Sequence, residues 1–76
     1  MSKLPQVDGA RLARALGRAG FQEVHGKGSH RMMVHMDDLT RVAIVPVHKG
    51  KSIPPGTLRA ILKGARISID ELKSLL

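Results

Sequence analysis

The chain has no cysteine, tryptophan or tyrosine, and Phe21 is its one phenylalanine. Without cysteine no disulfide can staple it, and no thiolate can ligate zinc or attack a substrate. That pattern fits a reducing compartment, so a cytoplasmic location is expected. A lone phenylalanine excludes single-strand binders that stack successive bases on several aromatic platforms. Any nucleic acid must then be held by charge, shape and hydrogen bonds. Acidic residues are also scarce, 6 against 13 Lys+Arg. A two-metal nuclease needs converging carboxylates, and these are scattered over turns and helix starts. No apolar run approaches the ~20 residues of a membrane span. Met1-Ser2-Lys3-Leu4-Pro5 holds no apolar stretch of signal-peptide length.

What remains is short and strongly basic. Seventy-six residues make one domain, 1–76, with net charge +7 and a pI near 11.0. A chain of this size buries only about 60% of its unfolded surface, so its core is small. The natural partners of such a field are polyanions, nucleic acid first, with an anionic protein or membrane surface next.

Taken in order, Asp8 is a good N-cap. Leu12, Ala15, Leu16 and Ala19 recur at helical spacing over 9–19, with Arg11, Arg14 and Arg18 on the opposite face. Gly20 stands where a helix-ending glycine belongs. Residues 21–25 alternate as a short strand, although Phe21 and Val24 differ in parity. Gly26-Lys27-Gly28 reads as a turn and 29–36 as a second strand, with Met32, Val34 and Met36 on one side and Arg31, Met33 and His35 on the other. Asp37-Asp38-Leu39 connects to a β-branched strand over 40–47, which Pro46 places at an edge or terminus. With Met36 opposite Thr40, Val34 faces Val42, Met32 faces Ile44 and His30 faces Pro46, one diagonal step from His48. Pro54-Pro55-Gly56-Thr57 opens a helix carrying Leu58, Ile61 and Leu62, weakened or ended at Gly64. Ser68-Ile69-Asp70-Glu71 matches a capping box ahead of a last short helix. The order is helix, three strands, helix, short helix. One sheet face covered by the helices gives a two-layer α+β sandwich.

The chemistry concentrates at Lys27-Gly28-Ser29-His30. Glycine lets backbone approach a ligand, lysine and serine suit phosphate oxygens, and imidazole exchanges protons near neutrality. Metal-free RNA cleavage needs a base near the 2′-hydroxyl, an acid for the leaving oxygen, and positive charge at the phosphate. His30 can serve as base or acid. Lys27, Arg31, His48, Lys49 and Lys51 can supply charge, with His48 a candidate second proton carrier. The bland alternative is a buried, satisfied His30 in the apolar phase of Met32 and Val34. Ser29 is a poor nucleophile candidate, because neighbours on a strand point apart. The four histidines (25, 30, 35 and 48) do not suggest a metal: His30 and His35 have opposite strand parity. No cofactor is expected.

These motifs resemble the HicA family of bacterial and archaeal toxins, also called YcfA-like proteins. The likeness runs over most of the chain: Leu4-Pro5 leads in, Leu16 to Gly20-Phe21 ends the first helix, and Lys27-Gly28-Ser29-His30 carries the Gly-Ser-His signature. Val45-Pro46-Val47-His48 is similar to its Pro-x-His strand end, and Pro55-Gly56-Thr57-Leu58 to its Pro-Gly-Thr-Leu helix start. The resemblance implies a fold like a double-stranded-RNA-binding domain. It also implies a type II toxin, an mRNA interferase with His30 as its catalytic histidine, held inactive by a HicB-like antitoxin. Arg31 departs from many relatives, and an RNA-binding role for Lys49-Gly50-Lys51 is inferred from charge alone. The rival from another class is a non-catalytic RNA-binding module, which would tolerate loss of His30. A third is a basic scaffold that binds only a protein partner.

Overall fold

A computed structural model describes residues 3–76. Met1 and Ser2, which open the stretch read as lacking a leader, lie outside the described residues. The elements are α1 (Gly9–Arg18), β1 (Phe21–Lys27), β2 (His30–His35), β3 (Val42–Pro46), α2 (Pro55–Ala65) and α3 (Ile69–Leu75). The strands form one antiparallel sheet in the order β1-β2-β3. The helices lie over one face and leave the other open. This is the α+β architecture of a double-stranded-RNA-binding domain. Among the described residues, no helix is long and apolar enough to cross a membrane.

Helix α1 begins as its residues dictate. The Asp8 carboxylate accepts the Arg11 N–H at 2.7 Å, which satisfies one of the orphan donors of the first turn. Leu12, Ala15 and Leu16 are fully buried on its inner face. Gly20 follows the C-cap at φ +101. On the outer face Arg18 donates to the Leu75 carbonyl at 2.7 Å and so ties α1 to the end of α3.

The strands differ from expectation in extent. β1 continues through Gly26 and Lys27, and the turn is the pair Gly28-Ser29 between Lys27 and His30. Gly28 has φ +59, a conformation that favours glycine at the first position of a two-residue hairpin turn. A bulge between Glu23 and His25 adds one residue to β1 and accounts for the broken parity of Phe21 and Val24. Strand β3 is shorter than expected, because pairing stops at Val34↔Val42. Met36 donates instead to the Gly20 carbonyl at 3.0 Å.

The core face of β2 is the one that carries Met33, not the one that carries Met32, Val34 and Met36, although Val34 is buried on its own side, outside the main core cluster. Met33, Ala43 and Val45 are buried with Phe21 under the helices, whereas Ile44 is 55% exposed on the open side. Both phases of β2 hold apolar residues, so the choice falls to what the helices pack against. Ala43 is small, and two glycines bring helix backbone close to β3. A Cβ on Gly9 would collide with the Pro46 carbonyl oxygen and stand 2.8 Å from Val47 Cα; one on Gly64 would stand 2.9 Å from the Val42 oxygen. Gly64 therefore does not end α2. The helix runs on to Ala65 and closes at Arg66, in the left-handed region at φ 56.

Side chains finish the helix ends. Arg41 donates to the Ala65 carbonyl at 2.8 Å while its guanidinium sits 5.4 Å from the centre of the Phe21 ring. Ser68 Oγ accepts the Glu71 N–H at 3.0 Å at the start of α3, and Leu72 is fully buried. The segment before α1 pairs with the stretch that leads into α2, through an isolated bridge between Asp8 and Ser52 and the Ile53 N–H donating to the Val7 carbonyl at 2.8 Å.

Candidate nucleic-acid interface and acid–base site

Cross-strand partners share a face, so the register builds rows across the open side of the sheet. Gln22, Val34 and Val42 form one row, and His25, Met32 and Ile44 the next. Lys27, His30 and Pro46 form the last. The face is thus apolar at its centre and basic toward the hairpin turn.

His30 is exposed at the start of β2, which removes the buried-histidine alternative. Its pairing with Pro46 brings the chain beyond β3 alongside it. The Val47 N–H donates to the Ser29 carbonyl at 2.6 Å and holds that extension in place. Two residues past Pro46, the His48 ring stands 6.5 Å from the His30 ring, centroid to centroid, at an interplanar angle of 83°. Pro46 has no N–H to donate, and it sits at the last position of an edge strand, where that loss is tolerated.

The two rings line a groove of about 560 Å³. Ile44 and Pro46 form its apolar floor; Lys51, the Ser52-Ile53-Pro54 segment and Thr57 of α2 complete it. Among the described residues, no carboxylate lines it. Lys49-Gly50 forms a turn closed by the Lys51 N–H donating to the His48 carbonyl at 3.1 Å, with Gly50 at φ +76. Among the described residues, Lys27, Lys49 and Lys51 are exposed and make no ion pair. Their charge is therefore uncompensated where the two imidazoles meet.

Other residues singled out in the sequence lie elsewhere. Arg31 pairs across the sheet with Val45, on the side opposite His30, and its guanidinium is 3.9 Å from the Glu23 carboxylate. Gly28 and Ser29 make the turn beside His30. His35 is structural: its Nε2–H donates to the Ala19 carbonyl at 3.1 Å, and its Nδ1 accepts the Asp37 N–H at 3.1 Å. Those two partners assign its neutral tautomer. Its ring also meets Phe21 edge-on at 5.1 Å. Among the described residues, no three His, Cys, Asp or Glu side chains converge.

A larger cleft of about 770 Å³ lies on the far side of the 52–54 segment, lined by Lys3, Pro5, Pro55, Arg59 and Lys73 among others. Among the described residues it is lined by no histidine or carboxylate. Among the described residues, one carboxyl has a clear pKa change, and it does not line the groove. The Thr40 hydroxyl, 2.6 Å away, and the Thr40 N–H hold Asp38 below the usual carboxylate range, with help from the Arg66 and Arg41 guanidiniums.

Sequence reasoning did not single out Ser52 and Thr57, which face the histidines only after the chain has folded. The one available signal was Thr57 at a proline-led helix start.

A search of curated proteins finds no match to the chain. A family model described as the HicA toxin of bacterial toxin–antitoxin systems matches residues 9–67. That span begins at the first residue of α1, runs through the sheet, both histidines of the groove and α2, and ends just short of α3. The chain belongs to the HicA toxin family of bacterial toxin–antitoxin systems.

Proposed function

We propose that this toxin acts as a metal-independent mRNA interferase, a single domain over 1–76 that cuts RNA phosphodiester bonds in the cytoplasm and so blocks translation. The observation that carries the reading is the exposed His30 ring in a groove lined by Lys51 and by no carboxylate of the described residues, with Lys27 across the strand from His30 and Lys49 next to His48, all three lysines without an ion pair. An imidazole there can take or give a proton at neutral pH. Lys27, Lys49 and Lys51 offset the phosphate charge, and His48 and the Gly28-Ser29 turn contact the phosphate backbone. Arg31 adds charge from the hairpin's other face. With few acidic groups and none in the groove, the site offers no carboxylate cradle for a pair of divalent ions.

Neutralisation follows from the same electrostatics. A HicB-like antitoxin with an acidic surface would mimic the substrate and cover His30 or its surroundings. A chain at +7 attracts such a surface strongly.

The test is cleavage of RNA by the purified chain in EDTA, beside His30→Ala, with folding of both checked by circular dichroism. Removing a positioned acid or base costs about 10²–10⁴ in rate, so the variant should fall by at least about 100-fold. The fold also suits a non-catalytic RNA binder. That reading wins if neither protein cuts and both bind RNA with a steep salt dependence. Activity that needs added metal overturns the metal-independent mechanism.

A further inference from the structure

We propose that His48 is the second proton-transfer group of the site, so that cleavage proceeds by attack of the neighbouring 2′-oxygen between two imidazoles. This rests on the ribonuclease reading above. The observation behind it is the placement of the two rings, 6.5 Å apart and nearly perpendicular, in one groove. A charge-assisted hydrogen bond spans about 2.8 Å from nitrogen to oxygen. Two rings at this separation can therefore bridge oxygens on a single phosphorus.

The placement is built into the fold. His30 begins β2, and His48 lies just beyond Pro46, its cross-strand partner. The Val47-to-Ser29 hydrogen bond fixes the intervening step. Among the described residues, no other histidine lines the groove. His25 belongs to the next row of the open face, and His35 has both ring nitrogens engaged on the core side. Lysines do not substitute readily, since their ordinary pKa lies near 10.4.

In the reaction, the 2′-oxygen attacks phosphorus while one neutral imidazole takes its proton. The bond from phosphorus to the 5′-oxygen breaks, the electron pair leaves with that oxygen, and the other imidazole, initially protonated, supplies a proton to it. The products are a 2′,3′-cyclic phosphate and a 5′-hydroxyl. One ring gains a proton and the other loses one, so this step consumes no water, metal or oxidant. The charged groups around the rings are basic, Lys27 from β1 with Lys49 and Lys51 from the loop after β3, and among the described residues no carboxylate lines the groove.

The experiment uses the full chain, wild type beside His48→Ala, His48→Gln and His30→Ala. Single-turnover cleavage is followed across pH and with added imidazole. A second substrate carries sulfur in place of the 5′-oxygen at a linkage the wild type cuts. Sulfur leaves without a proton, so the variant that lacks the acid should recover on it while the variant that lacks the base does not. The expected result is a bell-shaped wild-type profile with one limb lost in His48→Ala, a fall of 100-fold or more in kcat with little change in KM, and partial restoration by imidazole. His48→Gln keeps a hydrogen bond but cannot transfer a proton, so it should be equally slow. A wild type that does not cut at all overturns the ribonuclease reading itself. A cutting wild type with an unaltered bell in His48→Ala, an effect confined to KM, or full activity in His48→Gln overturns the role of His48 alone.

Discussion

Gly9→Ala adds one methyl group at the most crowded backbone contact involving α1. The new Cβ would overlap the Pro46 carbonyl oxygen and lie 2.8 Å from Val47 Cα, against an ordinary carbon contact of about 3.5–4.0 Å. Both obstacles are backbone, so no side chain can swing away. Either the start of α1 or the end of β3 must shift by about 1 Å. Overpacking of this kind costs about 1–3 kcal/mol, and the upper end applies where backbone must move. Better helix propensity returns about 0.5–1 kcal/mol, leaving a net loss of about 2 kcal/mol. At about 4–8 °C per kcal/mol for a domain of this size, Tm should fall by about 8–16 °C. Gly17→Ala is the internal control, since a Cβ there meets nothing within 4 Å. It should gain about 0.5–1 kcal/mol and raise Tm by about 2–8 °C. The same chemical change in the same helix thus has opposite signs. Thermal unfolding by circular dichroism measures both. The displaced segment leads directly into His48, and a 1 Å misplacement can cost about 100-fold in rate. Gly9→Ala should therefore also lose cleavage at a temperature where it remains folded. If Gly9→Ala melts as high as Gly17→Ala, the close approach of α1 to β3 is refuted, and the support it gives to His48 falls with it.

Other perturbations test separate parts of the structure. Arg66 occupies the left-handed region at φ 56 and pairs with Asp38 through largely exposed groups at 3.1 Å. Both Arg66→Gly and Arg66→Ala lose that pair, but only glycine escapes the backbone cost, so the glycine variant should be the more stable by about 1 kcal/mol; equal denaturation midpoints would contradict the assignment. Asp38 is held below the usual carboxylate range by Thr40, so the unfolded chain binds a proton more readily than the folded one. Its stabilising contribution is complete above the ordinary carboxylate pKa and is lost as pH falls through the lowered folded value. Stability measured against pH should accordingly decline less steeply below about pH 4 in Asp38→Asn than in wild type. For RNA binding, each of Lys27→Ala, Lys49→Ala and Lys51→Ala should reduce the slope of log affinity against log salt by about 0.7; unchanged slopes would remove those lysines from the phosphate path.

Much of the fold could be read from local chemistry. Asp8 and Ser68 cap helices because a short oxygen-bearing side chain there meets orphan N–H groups. The pairings Val34↔Val42, Met32↔Ile44 and His30↔Pro46 are present as expected, because a short connection and side-chain alternation leave few registers. With them comes the neighbourhood of His30 and His48. The missed features share one cause. Met32, Met33 and Val34 are all apolar, so alternation alone cannot say which phase of β2 meets the helices. Gly64 reads as a helix breaker until the Val42 carbonyl is placed beside it. The Glu23–His25 bulge and the strand-like Gly26 depend on a partner strand that local pattern does not include.

By itself, the order of residues determined the succession of helix, three strands and two helices, the excess of positive charge, the lack of thiol chemistry, and the histidine with its basic glycine turn. Those properties reside in side-chain type and short-range spacing, which the chain carries whether folded or not. Tertiary structure alone decided that Met33 faces inward, that His30 is exposed, and that Ser52 and Thr57 wall the groove. These depend on which backbones approach most closely, and at Gly9 and Gly64 that is settled by the space a missing Cβ leaves.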